Sequence, residues 1–446
     1  MSVPGNFTWG VSTSAYQIEG GRNEGGKGES IWDRFADEGR IPESGDVACD
    51  HYHRWRDDIA LMADLGVTGY RFSIAWTRIL PAGASEVSND GLDFYQRLVD
   101  ALLDNGIEPW PTLYHWDLPA VLQDRGGWPA RDTAEAFAGY AAVVGEALGD
   151  RVRTWITHNE PWVATFLGHL EGVFAPGIRD WGAALAAGHH ILLSHGLATQ
   201  ALRSTVPHAS IGIAIDCRPS YPASDSEADR TAQRHFDGFR NRWFFDPVFG
   251  LGYPEDIVAT YRDRGRFVGE LPFVVEGDME TIAQPIDFLG LNYYTSIGIS
   301  APDDESEDSG VPPGPNPPPG HTEMGWAITP SALTDYLSHL DTVYSPPAIV
   351  ITENGASYSD GPDEHGVVDD ERRSEYLRLH IAAVESAAGL GVPVTGYFVW
   401  SLLDNLEWAL GYSQRFGIVW VDHSTLERTP KASFRWYRDL IADRTV

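Results

Sequence analysis

The chain has 446 residues, of which 43% are hydrophobic and 22% charged, and its formal net charge is −32. This length suits two or three domains, or one α/β barrel whose loops carry insertions. The negative charge argues against nucleic-acid and anionic-membrane partners, which such a surface repels. Two cysteines cannot make a disulfide framework, and the sequence shows neither a secretory signal nor a membrane-spanning run. We therefore expect a cytoplasmic protein.

Short apolar, β-branched or aromatic runs alternate with helical patterns along the whole chain. The predicted strands are Phe7–Ser14, Gly69–Ala75, Glu108–Tyr114, Thr154–His158, Ile211–Asp216, Phe288–Tyr294, Ala348–Thr352 and Gly396–Ser401. The predicted helices are Trp55–Leu65, Leu92–Asn105, Thr133–Leu148, Ala183–Ser204, Ser331–Leu340, Glu371–Ala388 and Phe434–Asp443. Eight strand-then-helix units predict a single (β/α)8 TIM barrel, an α/β fold, over residues 1–446 with extended loops after its strands.

One segment departs from this alternation. Residues 301–322 are acidic and then rich in proline, which is too polar a composition to pack and too short a segment for a domain. We expect a flexible loop beside the mouth of a site.

The carboxyl ends of parallel strands gather on one face of a barrel, so side chains at those ends predict the site. The polar and aromatic residues at these positions are Gln17, Arg71, His115, Trp116, Asn159, Glu160, Asn292, Tyr293, Tyr294, Glu353 and Trp400.

Two of these residues are carboxylates that follow apolar strands, Glu160 and Glu353. Hydrolysis of a glycosidic bond needs one carboxylic acid that protonates the leaving oxygen and one carboxylate that attacks or stabilises the anomeric carbon. Either acid alone also fits a structural ion pair. Their joint occurrence beside asparagine at two strand ends favours a catalytic pair.

Several motifs carry a resemblance to a known family. They are Tyr114-His-Trp-Asp117, Thr157-His-Asn-Glu-Pro161, Asn292-Tyr-Tyr-Thr295, Ile351-Thr-Glu-Asn-Gly355 and Ser401-Leu-Leu-Asp-Asn-Leu-Glu-Trp408. In sequence and order they resemble family 1 of the glycoside hydrolases, the β-glucosidase family, over nearly the whole chain. The resemblance implies a (β/α)8 barrel and a retaining double displacement, with Glu160 as acid/base and Glu353 as nucleophile. A retaining pair lies about 5 Å apart.

The resemblance also implies roles for other residues. Arg71, Asn292 and Tyr294 would support the ionised nucleophile. The sugar would be bound by hydrogen-bonding and aromatic side chains, namely Gln17, His115, Trp116, Asn159, Trp400, Glu407, Trp408 and Phe416. Trp326 would line the aglycone side. The phospho-glycosidase branch carries serine, lysine and tyrosine where this chain has Glu407, Gln414 and Phe416, so we expect an unphosphorylated sugar.

We therefore expect a β-glucosidase that releases terminal β-D-glucose from β-glucosides or cello-oligosaccharides, with side activity on β-galactosides or β-fucosides and without a metal or cofactor. A carbohydrate-binding barrel without catalysis would lack one acid, and both are present. A metal-dependent hydrolase would use the pairs His51/His53 and His189/His190, whose spacing is a weak signal. Glycosyl transfer to an acceptor instead of water stays open, and so does a homo-oligomer.

Overall fold

The computed structural model describes residue 5, residues 7–301 and residues 319–444. Its strands, in chain order, are β1 (Thr8–Ser12), β2 (Gly69–Ser73), β3 (Glu108–Tyr114), β4 (Thr154–Asn159), β5 (Ser210–Cys217), β6 (Ser220–Pro222), β7 (Phe288–Tyr293), β8 (Ile297–Ile299), β9 (Ile349–Asn354), β10 (Val394–Trp400), β11 (Val419–Val421) and β12 (Arg428–Pro430). Eight of them, β1 to β5, β7, β9 and β10, form a closed parallel barrel in which β1 also pairs with β10. The predicted barrel is confirmed.

Helices connect the strands and surround the barrel. They are α1 (Ala15–Ile18), α2 (Ile31–Asp37), α3 (His51–Leu65), α4 (Trp76–Ile79), α5 (Asn89–Asp104), α6 (Ala120–Gln123), α7 (Arg131–Leu148), α8 (Trp181–Thr205), α9 (Glu227–Asp237), α10 (Trp243–Val248), α11 (Glu255–Asp263), α12 (Asp278–Ile282), α13 (Pro330–Tyr344), α14 (Glu371–Gly389) and α15 (Ala432–Arg444). Two π-helical segments cover Val163–Glu171 and Gly238–Arg242, and a 3₁₀ turn covers Trp408–Leu410. Within the described residues, no helix is both long and apolar enough to span a bilayer.

The predicted elements overlap the observed ones, with differences at the ends. Strand β9 continues to Asn354, two residues beyond the predicted end, because Asn354 still pairs with Val399 of β10. Glu353 therefore lies inside a strand and not after it. Helices α9 to α12, between β5 and β7, were not predicted. The predicted loop over residues 301–322 falls largely outside the described residues, and its flexibility stays a prediction.

The interior of the barrel below the site is filled with apolar side chains. They are Trp110, Ile156, Ala214, Phe288, Val350 and Phe398, contributed by six different strands. A Cβ atom on Gly10 would lie 2.2 Å from the ring of Phe398, so only glycine fits beside that ring. These packed side chains leave no room for a ligand inside the barrel, so a ligand can bind only at the carboxyl ends of the strands.

Candidate active site

A cavity of about 410 Å³ opens at the carboxyl ends of the barrel strands. Most of the residues predicted for the site line it, namely His115, Trp116, Glu160, Asn292, Tyr294, Trp326, Glu353, Trp400, Glu407, Trp408 and Phe416. Gln17, Arg71 and Asn159 are buried behind this lining. Arg71 and Asn159 contact the lining residues Glu353 and His115, and Gln17 contacts Leu406, which precedes the lining residue Glu407. The barrel thus brings together residues that are far apart in the sequence.

Glu353 has the more polar environment of the two carboxyl groups. Arg71 donates to its Oε1 at 2.5 Å, and the hydroxyl of Tyr294 donates to its Oε2 at 2.7 Å. Burial raises the pKa of Glu353, whereas Arg71, Tyr294 and Asn292 oppose that shift because they stabilise the carboxylate. Burial and the negative charge of Glu353 keep the pKa of the Tyr294 hydroxyl well above its ordinary value, so that hydroxyl remains a donor.

Glu160 follows β4 and faces the same cavity with weaker support. The amide of Asn292 donates to its Oε1 at 2.7 Å. Burial raises the pKa of Glu160 well above its ordinary value, and the negative charges of Asp216 and Glu353 raise it further. Both acids are buried, but the neighbours of Glu353 oppose the rise in its pKa, whereas the charges near Glu160 add to the rise in the pKa of Glu160. The environments thus favour the proton on Glu160 and the charge on Glu353, as an acid and a nucleophile require.

Asn159 connects the two acids through hydrogen bonds. Its Oδ1 accepts from Arg71 at 2.6 Å and from Asn292 at 2.9 Å, which fixes the orientation of its amide. Its Nδ2 consequently donates to Nε2 of His115 at 3.1 Å. Burial and the charge of Arg71 lower the pKa of His115 well below its ordinary value, so the ring is neutral. Because Nε2 accepts, the ring proton is on Nδ1 and can be donated to a ligand.

The loop after β10 carries Glu407 and Trp408 into the cavity. Gln17 supports this loop by donating to the carbonyl oxygen of Leu406 at 2.8 Å and to Oδ1 of Asn405 at 3.1 Å. The amide oxygen of Gln17 is also engaged by the protein, because Oε1 accepts from Ser14 at 2.5 Å. The predicted contact between Gln17 and the sugar stays a prediction.

Some buried polar atoms of the cavity lining are not used by the protein's own hydrogen bonds. In the described part of the chain, Oε2 of Glu407 and Nδ1 of His115 are buried and have no hydrogen-bond partner. A buried polar atom without a partner costs about 1 to 3 kcal/mol. Burial and the charge of Glu353 raise the pKa of Glu407 to about 8. These atoms are suited to the hydroxyl groups of a polar ligand.

An ion network centred on Asp404 holds the loop after β10 in place. Asp404 accepts from Lys431 at 2.8 Å, from Arg415 at 2.9 Å and from the backbone N–H of Gly417 at 2.9 Å. Lys431 is completely buried, and burial lowers its pKa to about 8. Both ends of the loop are therefore tied to one carboxylate.

Aromatic rings form much of the remaining wall. The ring of Trp408 is stacked on Tyr16 at 5.9 Å, and His115 is stacked on Trp400 at 5.8 Å. Trp326 packs against Tyr294 at 5.2 Å between ring centroids. Such faces suit the C–H surface of a sugar ring, which is apolar on one side.

Three residues of the cavity have left-handed backbone conformations that are rare for residues with side chains. The φ angles are +81° for Trp116, +47° for Glu160 and +45° for Trp408. Each costs on the order of 1 to 3 kcal/mol, and surrounding structure must hold it in place. Here the Trp116 indole donates to the carbonyl oxygen of Asn159 at 2.9 Å, and the N–H of Glu160 donates to Ala214 at 2.8 Å. Backbone strain therefore coincides with the site.

Sequence reasoning missed an ion pair that also lines the cavity, Asp216 with Arg240, and the indole of Trp162 beside it. Asp216 lies near the carboxyl end of β5, so the rule that identified the other strand-end residues applied to it as well. Arg240 lies in a π-helical segment and has no comparable signal in the sequence.

The histidines weighed as metal ligands have protein partners. His51 contacts Asp58 at 2.8 Å, and His189 contacts Asp278 at 2.9 Å. His51 opens helix α3, which begins before the predicted start at Trp55. Among the described residues, no group of three or more histidine, cysteine, aspartate or glutamate side chains could hold a metal ion.

A (β/α)8 barrel holds two carboxyl groups in one cavity: one is paired with arginine, and the pKa of the other is raised by burial and by neighbouring carboxylates. This is the arrangement expected of a glycoside hydrolase that uses a pair of carboxyl groups. The model of glycosyl hydrolase family 1 matches residues 1–446. The chain belongs to that family.

Known β-glucosidases resemble this chain in sequence and fold along nearly its full length. β-Glucosidase A of Acetivibrio thermocellus is 47% identical over 446 residues, covering 99% of this chain and 98% of the relative. A bifunctional β-D-glucosidase/β-D-fucosidase of Bifidobacterium breve is 42% identical over 466 residues, covering 100% of this chain and 99% of the relative. The solved family 1 β-glucosidase from Thermotoga maritima superposes with a TM-score of 0.92 at 44% identity, over 99% of this chain and 98% of its own.

Proposed function

We propose that this protein is a retaining β-glucosidase in which Glu353 is the nucleophile and Glu160 the acid/base. The observation that carries this proposal is the asymmetry between the two acids: Arg71 and Tyr294 hold Glu353, whereas Glu160 has a neutral donor, Asn292. The names of the relatives support glucosides as substrates.

The reaction proceeds in two steps. First, the Glu353 carboxylate attacks the anomeric carbon and the C–O bond to the aglycone breaks, while the Glu160 carboxyl group gives its proton to the leaving oxygen. The glycosyl ester has no charge on Glu353, so one of the negative charges that raise the pKa of Glu160 is gone. In the second step Glu160 takes a proton from water, the water oxygen attacks the anomeric carbon, and Glu353 leaves as a carboxylate.

Residues on the sugar side fix the orientation of the ring. Glu407 and His115 supply the partnerless atoms for hydroxyl groups, and Trp400 and Trp408 face the apolar side of the sugar. Trp116, Asn159, Phe416 and Gln17 shape and support this region. An acidic side chain at position 407 offers a phosphate no positive charge, which supports an unphosphorylated glycone.

The substrate range follows from the same contacts. Terminal β-D-glucose would be released from simple β-glucosides and cello-oligosaccharides, with β-fucosides and β-galactosides as slower substrates. The name of the Bifidobacterium breve relative supports the fucoside activity. Ratios of kcat/KM for matched aryl glycosides, with a 6-phospho-β-glucoside as the expected non-substrate, test this order.

The stereochemical course tests the mechanism. Proton NMR recorded during the first minutes of hydrolysis should show the β anomer of the released sugar before mutarotation. An initial α anomer would indicate inversion and would overturn the double displacement.

We further propose a cytoplasmic location, which is supported by two buried cysteines that are not joined to each other. A homo-oligomer stays a prediction that analytical ultracentrifugation would test.

A further inference from the structure

A second ion pair lies on the wall of the cavity next to Glu160. Asp216 is the last residue but one of β5, and Nη2 of Arg240 contacts its carboxylate from the π-helical segment Gly238–Arg242. The side chains are 5% and 8% exposed, respectively. A buried ion pair of this kind contributes little net stability and strongly influences nearby charges.

Strand pairing in the barrel places Asp216 beside Asn292, which donates a hydrogen bond to Glu160. Strand β5 lies between β4 and β7, with Asn159 opposite Ala214 and Asp216 opposite Asn292. Asn292 is the residue that donates to Glu160 at 2.7 Å. The position of Asp216 relative to Glu160 is thus fixed by strand pairing and does not depend on a mobile loop.

Arg240 is anchored on its other side by an aromatic ring. Its guanidinium carbon lies 4.1 Å from the ring centroid of Trp162, which is two residues beyond Glu160 in the chain. A cation over an indole face is a favourable contact that is strengthened by burial. The ion pair and the segment that carries Glu160 are therefore packed as one unit.

The two carboxylates that act on Glu160 differ in an important way. Burial is the largest cause of the raised pKa of Glu160, the charge of Asp216 comes second and that of Glu353 third, while Arg240 acts in the opposite direction. Esterification removes the charge of Glu353 during each turnover. The charge of Asp216 persists through both steps.

We propose, on the basis of the function proposed above, that Asp216 is a positioning residue that keeps the proton on Glu160 until the glycosidic bond breaks, and that Arg240 holds Asp216 ionised and in place. Asp216 touches neither the anomeric carbon nor the leaving oxygen in this scheme and acts through its field alone. The other titratable or charged side chains that line the cavity are His115, Cys217, Arg218, Tyr294, Glu353 and Glu407.

The test is the pH dependence of kcat/KM for an aryl β-glucoside with a poor leaving group. Activity on the basic side is lost as Glu160 loses its proton. Asp216→Asn removes the negative charge and leaves Arg240 to act alone, and both changes favour the ionised form of Glu160. The basic limb should move down by about one pH unit, which lowers kcat/KM about five- to tenfold at and above the wild-type limb.

Two further variants keep the test decisive. Asp216→Glu retains the charge and should restore the basic limb. The double variant Asp216→Asn with Arg240→Gln removes both charges of the pair together, so it covers the case in which the single variant unfolds. Its limb should still move down, by less, because Asp216 acts on Glu160 more strongly than Arg240 does.

The matched control is Asp256→Asn. Asp256 pairs with Arg234 and Arg242 and does not line the cavity. Its basic limb should coincide with that of the wild type. If folded Asp216 variants also keep the wild-type limb, the role of Asp216 is overturned, while the role of Glu160 is judged separately by the leaving-group dependence of Glu160→Ala. A loss of kcat/KM that is equal at every pH would equally overturn it, since a merely structural role predicts that result.

Discussion

The cavity has two parts built by different means. We call the strand-end residues His115, Asn292, Glu353 and Trp400 the floor, and the residues Leu167, Val173, Met324 and Leu410 the outer wall. The floor is completely buried or nearly so and is cross-linked by hydrogen bonds to strands, whereas the outer wall comes from a π-helical segment and from loops, with Val173 45% exposed. From this comparison we expect the barrel strands to fix the chemistry and the loops to select the leaving group.

The largest effect should come from the floor, at Glu353. Glu353→Ala removes the attacking carboxylate and should lower kcat for an aryl β-glucoside by on the order of 10⁴-fold or more. Azide fills the vacated space and should restore part of the turnover, giving the α-glucosyl azide. Circular dichroism serves as the folding control, because Arg71 loses its partner. Near wild-type activity of the variant would contradict the role of Glu353 as nucleophile and the assignment of the chemistry to the floor.

A loss that depends on the leaving group should follow substitution of Glu160. Glu160→Ala should slow the first step by about 10² to 10⁴-fold for phenyl glucosides, whose oxygen needs a proton, and far less for dinitrophenyl glucosides. Pre-steady-state release of the phenol measures that step directly. Equal losses for both leaving groups would contradict the acid role.

The sugar contacts of the cavity should give a smaller effect. Glu407→Gln keeps the shape of the side chain and replaces the carboxyl group, whose free oxygen can accept from hydroxyl groups, by an amide, so kcat/KM for glucosides should fall about 10- to 100-fold. The loss should be the same for every aglycone, because the change concerns the glycone. A loss that varies with the aglycone would place Glu407 on the outer wall instead.

The smallest effect should occur next to the outer wall. Trp326→Ala opens the aglycone side and should change kcat/KM about two- to tenfold for aryl glucosides, with little change for methyl glucoside. The ratio between the β-glucoside and the β-galactoside of one phenol should stay constant. A shift in that ratio would show that floor and outer wall do not act separately.

Much of the floor could be predicted from the sequence. Apolar strands that end in polar residues indicate both the barrel and the face that holds the site, and the structure places Glu160 and Glu353 in one cavity at that face. Two acids beside asparagine, separated by nearly two hundred residues, identify a pair only because a closed barrel brings its strand ends together.

Other contacts could not be predicted, for physical reasons. Gln17 binds the loop at Asn405 and Leu406, a contact across 388 residues that no local pattern encodes. Arg240 reaches Asp216 from a π-helical segment, where the wider turn breaks the periodicity on which helix prediction depends. Helices α9 to α12 were missed because they are short, between 5 and 11 residues, and because α10 contains Pro247.

The central claim is that Glu353 forms a covalent bond to the sugar. Incubation with 2,4-dinitrophenyl 2-deoxy-2-fluoro-β-glucoside should release one equivalent of dinitrophenol per protein molecule. The fluorine slows both steps, whereas the good leaving group speeds only the first, so the glycosyl ester accumulates. Mass spectrometry of the digested protein should then locate the fluorosugar on the peptide that contains Glu353. A label on any other residue, or continued turnover of unlabelled protein, would contradict the account.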